Sequence, residues 1–228
     1  MSARTTLIGG LTVAVLAVAL VISGFGAALA VGGAGQKAAA TTTVTTGTNS
    51  TSSTPYVVTL VITTNNVYNS TVQAQPAYFM LGPNGLESSA NISLPANRLI
   101  KLVIICYDDG NASLVLPNDN VVSGTTGNSI YVTSNDNVNA SQGPSGIVLN
   151  GGQNLTSVPL SEVAHTFTVP ALNLNIPVPL SSTVVAYFKV GQAGSYFWFC
   201  ETRCGFGPDG TLGAMSTSGW MTGSLVAS

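Results

Sequence analysis

Apolar and polar positions divide this chain into three stretches. From Leu7 to Val31 nearly every side chain is apolar, and no charge occurs between Thr5 and Gln36. As a helix that run is roughly 37 Å long, enough to cross a hydrocarbon core of about 30 Å with some tilt. Residues 1–36 therefore read as one N-terminal transmembrane helix. Ala28-Leu29-Ala30 also has the small residues of a signal cleavage site, so a retained anchor and a removed signal both stay open. Arg4 on the N-terminal side favours placing the remainder outside the cell membrane. Residues 37–55 are small and polar with no period, a Thr/Ser/Ala-rich tether with a reach of about 25 Å as a coil.

From Tyr56 onward, short apolar runs alternate with Gly, Pro, Asn and Asp, and no helical period appears. Runs rich in Val, Ile, Thr, Tyr and Phe predict strands at 56–63, 77–81, 99–107, 113–116, 129–133, 164–169, 183–190, 195–200 and 221–227. The run 99–107 is apolar on both faces apart from Lys101, which predicts a central strand. Turn signals such as Gly82-Pro83-Asn84-Gly85 and Pro208-Asp209-Gly210 recur at sandwich spacing. Asp108-Asp109-Gly110 reads as another turn. Residues 56–228 are expected to form one all-β sandwich.

Composition narrows the function. Charged residues are 6% of the chain, against about 25% in an ordinary soluble domain. A net charge of −2 leaves no basic patch for phosphates, which argues against nucleic acid as a partner. Six Asn-x-Ser/Thr sequons, at Asn49, Asn69, Asn91, Asn111, Asn139 and Asn154, fit an exported, glycosylated chain. Glu87, Glu162 and Glu201 make no recognisable acid/base pair, and the hydrolase motifs are absent. The domain is not expected to be catalytic by itself.

One constellation carries chemistry. His165 opens the segment His-Thr-Phe-Thr-Val-Pro170, and Cys200 and Cys204 flank Glu-Thr-Arg in a later loop. Imidazole and thiolates suit copper or zinc. His165 is the only histidine in the chain, so a second imidazole ligand cannot come from it. The competing reading of Cys200 and Cys204 is a disulfide, in keeping with an oxidising exterior. Cys106, inside Val103-Ile-Ile-Cys106, reads as a small buried hydrophobe. Phe197, Trp198, Phe199, Phe206 and Trp220 read as core and loop-cover aromatics; Trp220, beside Met221, is also a candidate docking residue.

With these residues in place, Gly194-Ser-Tyr196-Phe-Trp-Phe-Cys200-Glu-Thr-Arg-Cys204-Gly205 resembles the copper loop of cupredoxins, most closely that of subunit II of haem–copper oxidases. The likeness spans 164–228. It implies a cupredoxin-like Greek-key β-sandwich behind a membrane anchor, with copper as cofactor and other respiratory-complex subunits as partners. The implied metal ligands are His165, Cys200, Cys204 and Met221, with Met215 in reserve. The chain departs from the family in several places. Pro208 and Thr211 stand where the family has its second histidine and its methionine. Taking the register from the last strand aligns Met221 and puts Ser218 at the histidine, with an insertion near Phe206–Thr217. The family's bridging glutamate falls at Thr202, where only a backbone carbonyl could serve. The resulting expectation is a membrane-anchored, extracytoplasmic electron-transfer subunit of a terminal oxidase with a reduced or lost copper site. The alternative is a secreted, glycosylated cell-surface or filament protein that assembles with itself and holds no metal.

Overall fold

The structure is a computed structural model of the 228-residue chain. It describes residues 54–68, 70, 71, 73–110, 112, 115–135 and 152–228. The apolar N-terminal run, the tether up to residue 53 and the sequons at Asn49, Asn69, Asn111 and Asn139 lie outside the described residues. Among those described, no helix is long and apolar enough to cross a membrane.

Among the described residues, twelve strands account for nearly all the regular structure: β1 (Tyr56–Val67), β2 (Ala74–Gly82), β3 (Gly85–Ser88), β4 (Asn91–Leu94), β5 (Leu99–Cys106), β6 (Ile130–Ser134), β7 (Gln153–Leu155), β8 (Val163–Val169), β9 (Leu174–Pro179), β10 (Ser182–Lys189), β11 (Gly194–Phe199) and β12 (Thr222–Ala227). Seven form one sheet in the order β3-β2-β1-β5-β10-β6-β7, and five form a second in the order β4-β12-β11-β8-β9. Pairing is antiparallel except between β1 and β5 and between β4 and β12. The chain crosses from sheet to sheet, leaving the larger at β3, returning at β5, and ending with β11 and β12 in the smaller.

Alternation builds the core. On β5, Ile100, Leu102, Ile104 and Cys106 are buried while the intervening residues are half-buried. The strand lies between β1 and β10, the central place its sequence predicts. Val184, Ala186 and Phe188 of β10 join the same face, and Phe167, Trp198 and Leu225 come from the smaller sheet. Burying each of the larger side chains is worth about 1.5–3 kcal/mol.

Four strands are absent from the sequence reading. β3, β4 and β7 are four residues or fewer, too short for alternation to register. β9 reads Leu-Asn-Ile-Pro-Val-Pro and is buried throughout. Its prolines argue against a strand by composition, yet they are tolerated because β9 is an edge. Conversely, Val115 and Leu116 of the predicted 113–116 strand are not in a strand.

Candidate metal centre

Four strand ends meet at one end of the sandwich. β8 opens with an irregularity in its pairing to β9 between Val163 and His165, and His165 sits opposite Val178. β11 runs antiparallel to β8 and ends at Phe199, which delivers Cys200 beside the start of β8. Cys200 N–H donates to the Met221 carbonyl (2.8 Å), continuing the β11–β12 ladder by one residue. β5 ends at Cys106, and the turn after it brings in Asp108 from the opposite sheet. That turn is fixed by Asp108 Oδ1, which accepts Gly110 N–H (3.0 Å), and by the Asp108 carbonyl, which accepts Ser181 N–H (2.9 Å).

The Cys loop closes on itself. Gly205 N–H donates to Gly210 O at 2.9 Å, and Phe206 and Leu212 exchange backbone hydrogen bonds. A Cβ on Gly205 would run into the Gly210 and Leu212 carbonyls, so only glycine fits beside Cys204. This fold-back falls within the Phe206–Thr217 stretch.

His165, Cys200 and Cys204 offer donor atoms that all lie within 4.8 Å of one another. His165 Nδ1 is 3.0 Å from Cys204 Sγ and 4.0 Å from Cys200 Sγ, and the sulfurs are 3.7 Å apart. His165 Nε2 meets Asp108 Oδ2 at 2.9 Å. His165 is 1% exposed and Cys200 fully buried, while Cys204 is half-buried. Thr202 Oγ1 stands between the sulfurs, 3.0 Å from Cys200 and 3.2 Å from Cys204. Thr166 N–H points at Cys200 Sγ (3.4 Å), and Thr166 Oγ1 accepts Glu201 N–H (2.7 Å). Behind His165, Tyr78 lies edge-on at 6.2 Å, its hydroxyl donating to the Thr166 carbonyl (3.0 Å).

These contacts set the protons. Burial alone would push the Cys200 thiol up, but hydrogen bonds from Cys204, His165 and Thr202, with the imidazole's charge, hold it well below the ordinary thiol range. Cys204 shares its proton with that thiolate and, with desolvation added, is pushed well above. Burial lowers His165, yet the hydrogen bonds to Asp108 and Cys200 outweigh it and raise it to about 9. Asp108 is desolvated, which raises it, and its bond to the imidazole brings it below the ordinary carboxylate value. The metal-free centre is thus a thiolate–imidazolium pair backed by a carboxylate.

Cys200 and Cys204 are not joined in a disulfide; a bond of about 2.05 Å would be needed, and the Thr202 hydroxyl and the imidazole hold the sulfurs at 3.7 Å. Thr202 contributes its hydroxyl as well as its carbonyl, which is 3.5 Å from Cys200 Sγ. Met221 is fully buried next to Cys200, whereas Met215 is half-buried in the turn Gly213–Ser216. Ser218, Pro208 and Thr211 are exposed. Cys106 is buried and its thiol pushed up to about 12, chiefly by burial. Trp198 is core, stacked on Phe167 at 5.3 Å. Phe197 is not: it is 58% exposed, because odd positions of β11 face outward. Trp220 is half-buried against Tyr68. Asn91 and Asn154 are exposed on β4 and β7. Sequence reasoning missed Asp108, Thr166 and Tyr78 as site residues; Asp108 gave the signal of a turn only.

The donor set fits one soft metal ion. A tetrahedral ion with bonds of about 2.3 Å to sulfur and about 2.0–2.1 Å to nitrogen keeps sulfurs about 3.8 Å apart and each sulfur about 3.6 Å from nitrogen. The observed separations of 3.7, 3.0 and 4.0 Å bracket those values. Asp108 on the remote ring nitrogen is the outer carboxylate that orients a metal-binding histidine.

No known protein family matches the chain, and no curated protein does. Among solved structures it is similar to auracyanin B, with 14% identity over 77% of this chain and 91% of that one, TM-score 0.32. Rusticyanin from Thiobacillus ferrooxidans shares 11% over 75% and 76%, TM-score 0.30. A multicopper oxidase from Campylobacter jejuni shares 12%, covering 75% of this chain but 25% of the oxidase, TM-score 0.32. TM-scores near 0.3 do not establish a common fold, and these likenesses stand as similarities alone.

Proposed function

We propose that this chain is a cupredoxin-like electron-transfer protein that holds one copper ion at His165, Cys200 and Cys204, with Met221 beside them. In this reading it serves as a membrane-anchored, extracytoplasmic subunit of a terminal-oxidase system, similar to oxidase subunit II. The observation that carries it is the convergence of the lone imidazole with both sulfurs at one end of the sandwich. Bound copper would supply a one-electron couple. The chain's own residues do the rest: Asp108 and Tyr78 fix the imidazole, Thr166 and Thr202 hydrogen-bond the Cys200 sulfur, and burial keeps water from that sulfur. A rigid donor set reorganises little when an electron arrives. The missing second imidazole and the Thr202 substitution favour one ion over a dinuclear centre.

The test is metal analysis of the full chain produced in detergent with copper and a reductant. We expect one copper per chain and, on oxidation, an intense thiolate-to-copper absorption. Uptake of zinc alone, or of no metal, would overturn the electron-transfer reading and leave a docking subunit without copper. Co-purification of the intact chain with haem proteins tests the oxidase association.

A further inference from the structure

The outward face of the larger sheet is apolar at the end where β1 and β5 begin. On β5 the outward positions are Leu99, Lys101, Val103 and Ile105, all half-buried. Lys101 pairs with Val57 on one side and Tyr187 on the other, and Leu99 pairs with Lys189. Met80 packs against the core, so its neighbour Leu81 points outward, where it meets Leu86 of β3. Val57 is 56% exposed, Leu81 50%, Leu86 51% and Tyr187 37%. A contiguous apolar patch of this kind marks a contact surface. We propose that this end of the face, with Lys101 and Lys189 in it, docks on an anionic lipid surface.

The inference rests on the membrane reading above for the nearness of lipid, and on nothing in the metal centre. Charge is segregated along the sandwich. Of the four Lys and Arg side chains among the described residues, Arg98, Lys101 and Lys189 stand at this end, and Arg203 lies in the Cys loop. Among the described residues no acid occupies an outward position of β1, β2, β3, β5 or β10; Glu87 pairs with Met80 and faces the other way. Asp108, Asp109, Glu162, Glu201 and Asp209 gather instead where β5 ends. A second copy packed face to face about a two-fold axis would set these lysines against each other with no carboxylate between them. Lipid phosphates supply the missing anions. The chain also enters the fold at this end. Residues 1–53, with their apolar run, lead to Thr54, whose carbonyl accepts Arg98 Nη2–H at 2.8 Å, and the Arg98 guanidinium lies 5.7 Å over the Tyr56 ring. The residue types suit a headgroup layer. Lysine lays its stem along apolar surface while its ammonium stays wet, and tyrosine concentrates at the membrane–water boundary. β5 puts the His165 end of the sandwich roughly 23 Å away at about 3.3 Å per residue, so the donor set stays open to a partner in water.

The full chain in lipid nanodiscs reports the contact through tyrosine iodination from the aqueous side. Tyr187 lies on the face; Tyr107, 59% exposed just after β5, lies at the far end and serves as the reference. With about 30% phosphatidylglycerol in the disc, Tyr187 should react at least about fivefold more slowly relative to Tyr107 than in phosphatidylcholine alone, and about 0.5 M salt should remove the difference. Lys101→Gln with Lys189→Gln should remove it as well. Leu81→Ser with Leu86→Ser should reduce it and keep its salt dependence, and an unchanged Tyr107 rate shows that each variant folds. Equal labelling in the two lipids, a difference indifferent to salt, or a double lysine variant protected like the original would each overturn the proposal. Protection of Tyr187 in detergent that grows with chain concentration would overturn it too, by giving the face to a second copy. A chain that fails to enter discs overturns the anchor; it should still pellet with phosphatidylglycerol vesicles and not with phosphatidylcholine ones, and failure there overturns the docking surface as well.

Discussion

Asp108 does for the centre what its neighbours cannot. His165 is the sole imidazole, so its orientation is not averaged over a second ring, and Asp108 Oδ2 at 2.9 Å is the contact on its remote nitrogen. Outer-shell partners of this kind typically change metal affinity by about 10–100-fold. We expect Asp108→Ala to weaken copper by that range in chelator competition. Asp108→Asn retains an acceptor for Nε2–H and should fall much nearer the original. Equal losses in both would show that charge, not orientation, is what Asp108 supplies. At this scale the sequence was legible where chemistry is rare. One histidine, two cysteines and a buried methionine stand out of a chain rich in Ser, Thr and Asn. Asp108, Thr166 and Tyr78 do not stand out, because their roles arise from contacts 57, 35 and 88 residues away that no local pattern encodes.

Between strands, the loop Cys200–Cys204 depends on how its neighbours close. Gly205 has no room for a methyl group beside the Gly210 and Leu212 carbonyls, which are backbone and cannot swing aside. Gly205→Ala must therefore move the loop and Cys204 with it. We expect a loss of about 1–3 kcal/mol in stability and a clear fall in copper affinity, read by thermal unfolding with and without metal. A variant that melts lower yet binds copper as before would separate the loop's packing from the position of its sulfur. Strands such as β5, β10 and β12 were readable from their runs of apolar and β-branched residues. β9 was not, because tertiary burial of an edge strand overrode the propensity of its prolines. β8 is buried on both faces, and the loop around Asp119–Ser123 is tied to its neighbour β9: Asn175 Nδ2 donates to the Asp119 and Val121 carbonyls, and Asn175 Oδ1 accepts Thr168 Oγ1–H. A cover held by contacts 54 and 56 residues apart leaves only a run of apolar and Thr residues in the sequence.

Across the whole molecule charge is so sparse that one site can dominate how stability responds to pH. Eight acidic side chains serve 228 residues, and the metal-free centre couples two shifts of opposite sense. His165, raised from 6.5 to about 9, adds stability that is full below 6.5 and lost as pH rises to about 9. Cys200, held well below 9.0, adds stability that is full above 9.0 and lost as pH falls through its folded value. Between 6.5 and 9 the folded pair binds one proton, on the imidazole, and the unfolded pair binds one, on the sulfur. The two slopes cancel there. Below 6.5 only the Cys200 slope remains, joined at lower pH by that of Asp108, whose folded carboxyl is also held low. Urea unfolding of the reduced, metal-free chain should give a plateau from pH 6.5 to 9 and a decline on acidification. Cys200→Ala removes the thiolate and should abolish most of the decline between pH 6.5 and 5. A steady fall from 6.5 to 9 in the original chain would mean an imidazolium without its thiolate. An acid slope that survives in Cys200→Ala would place the sensitivity elsewhere in the sandwich.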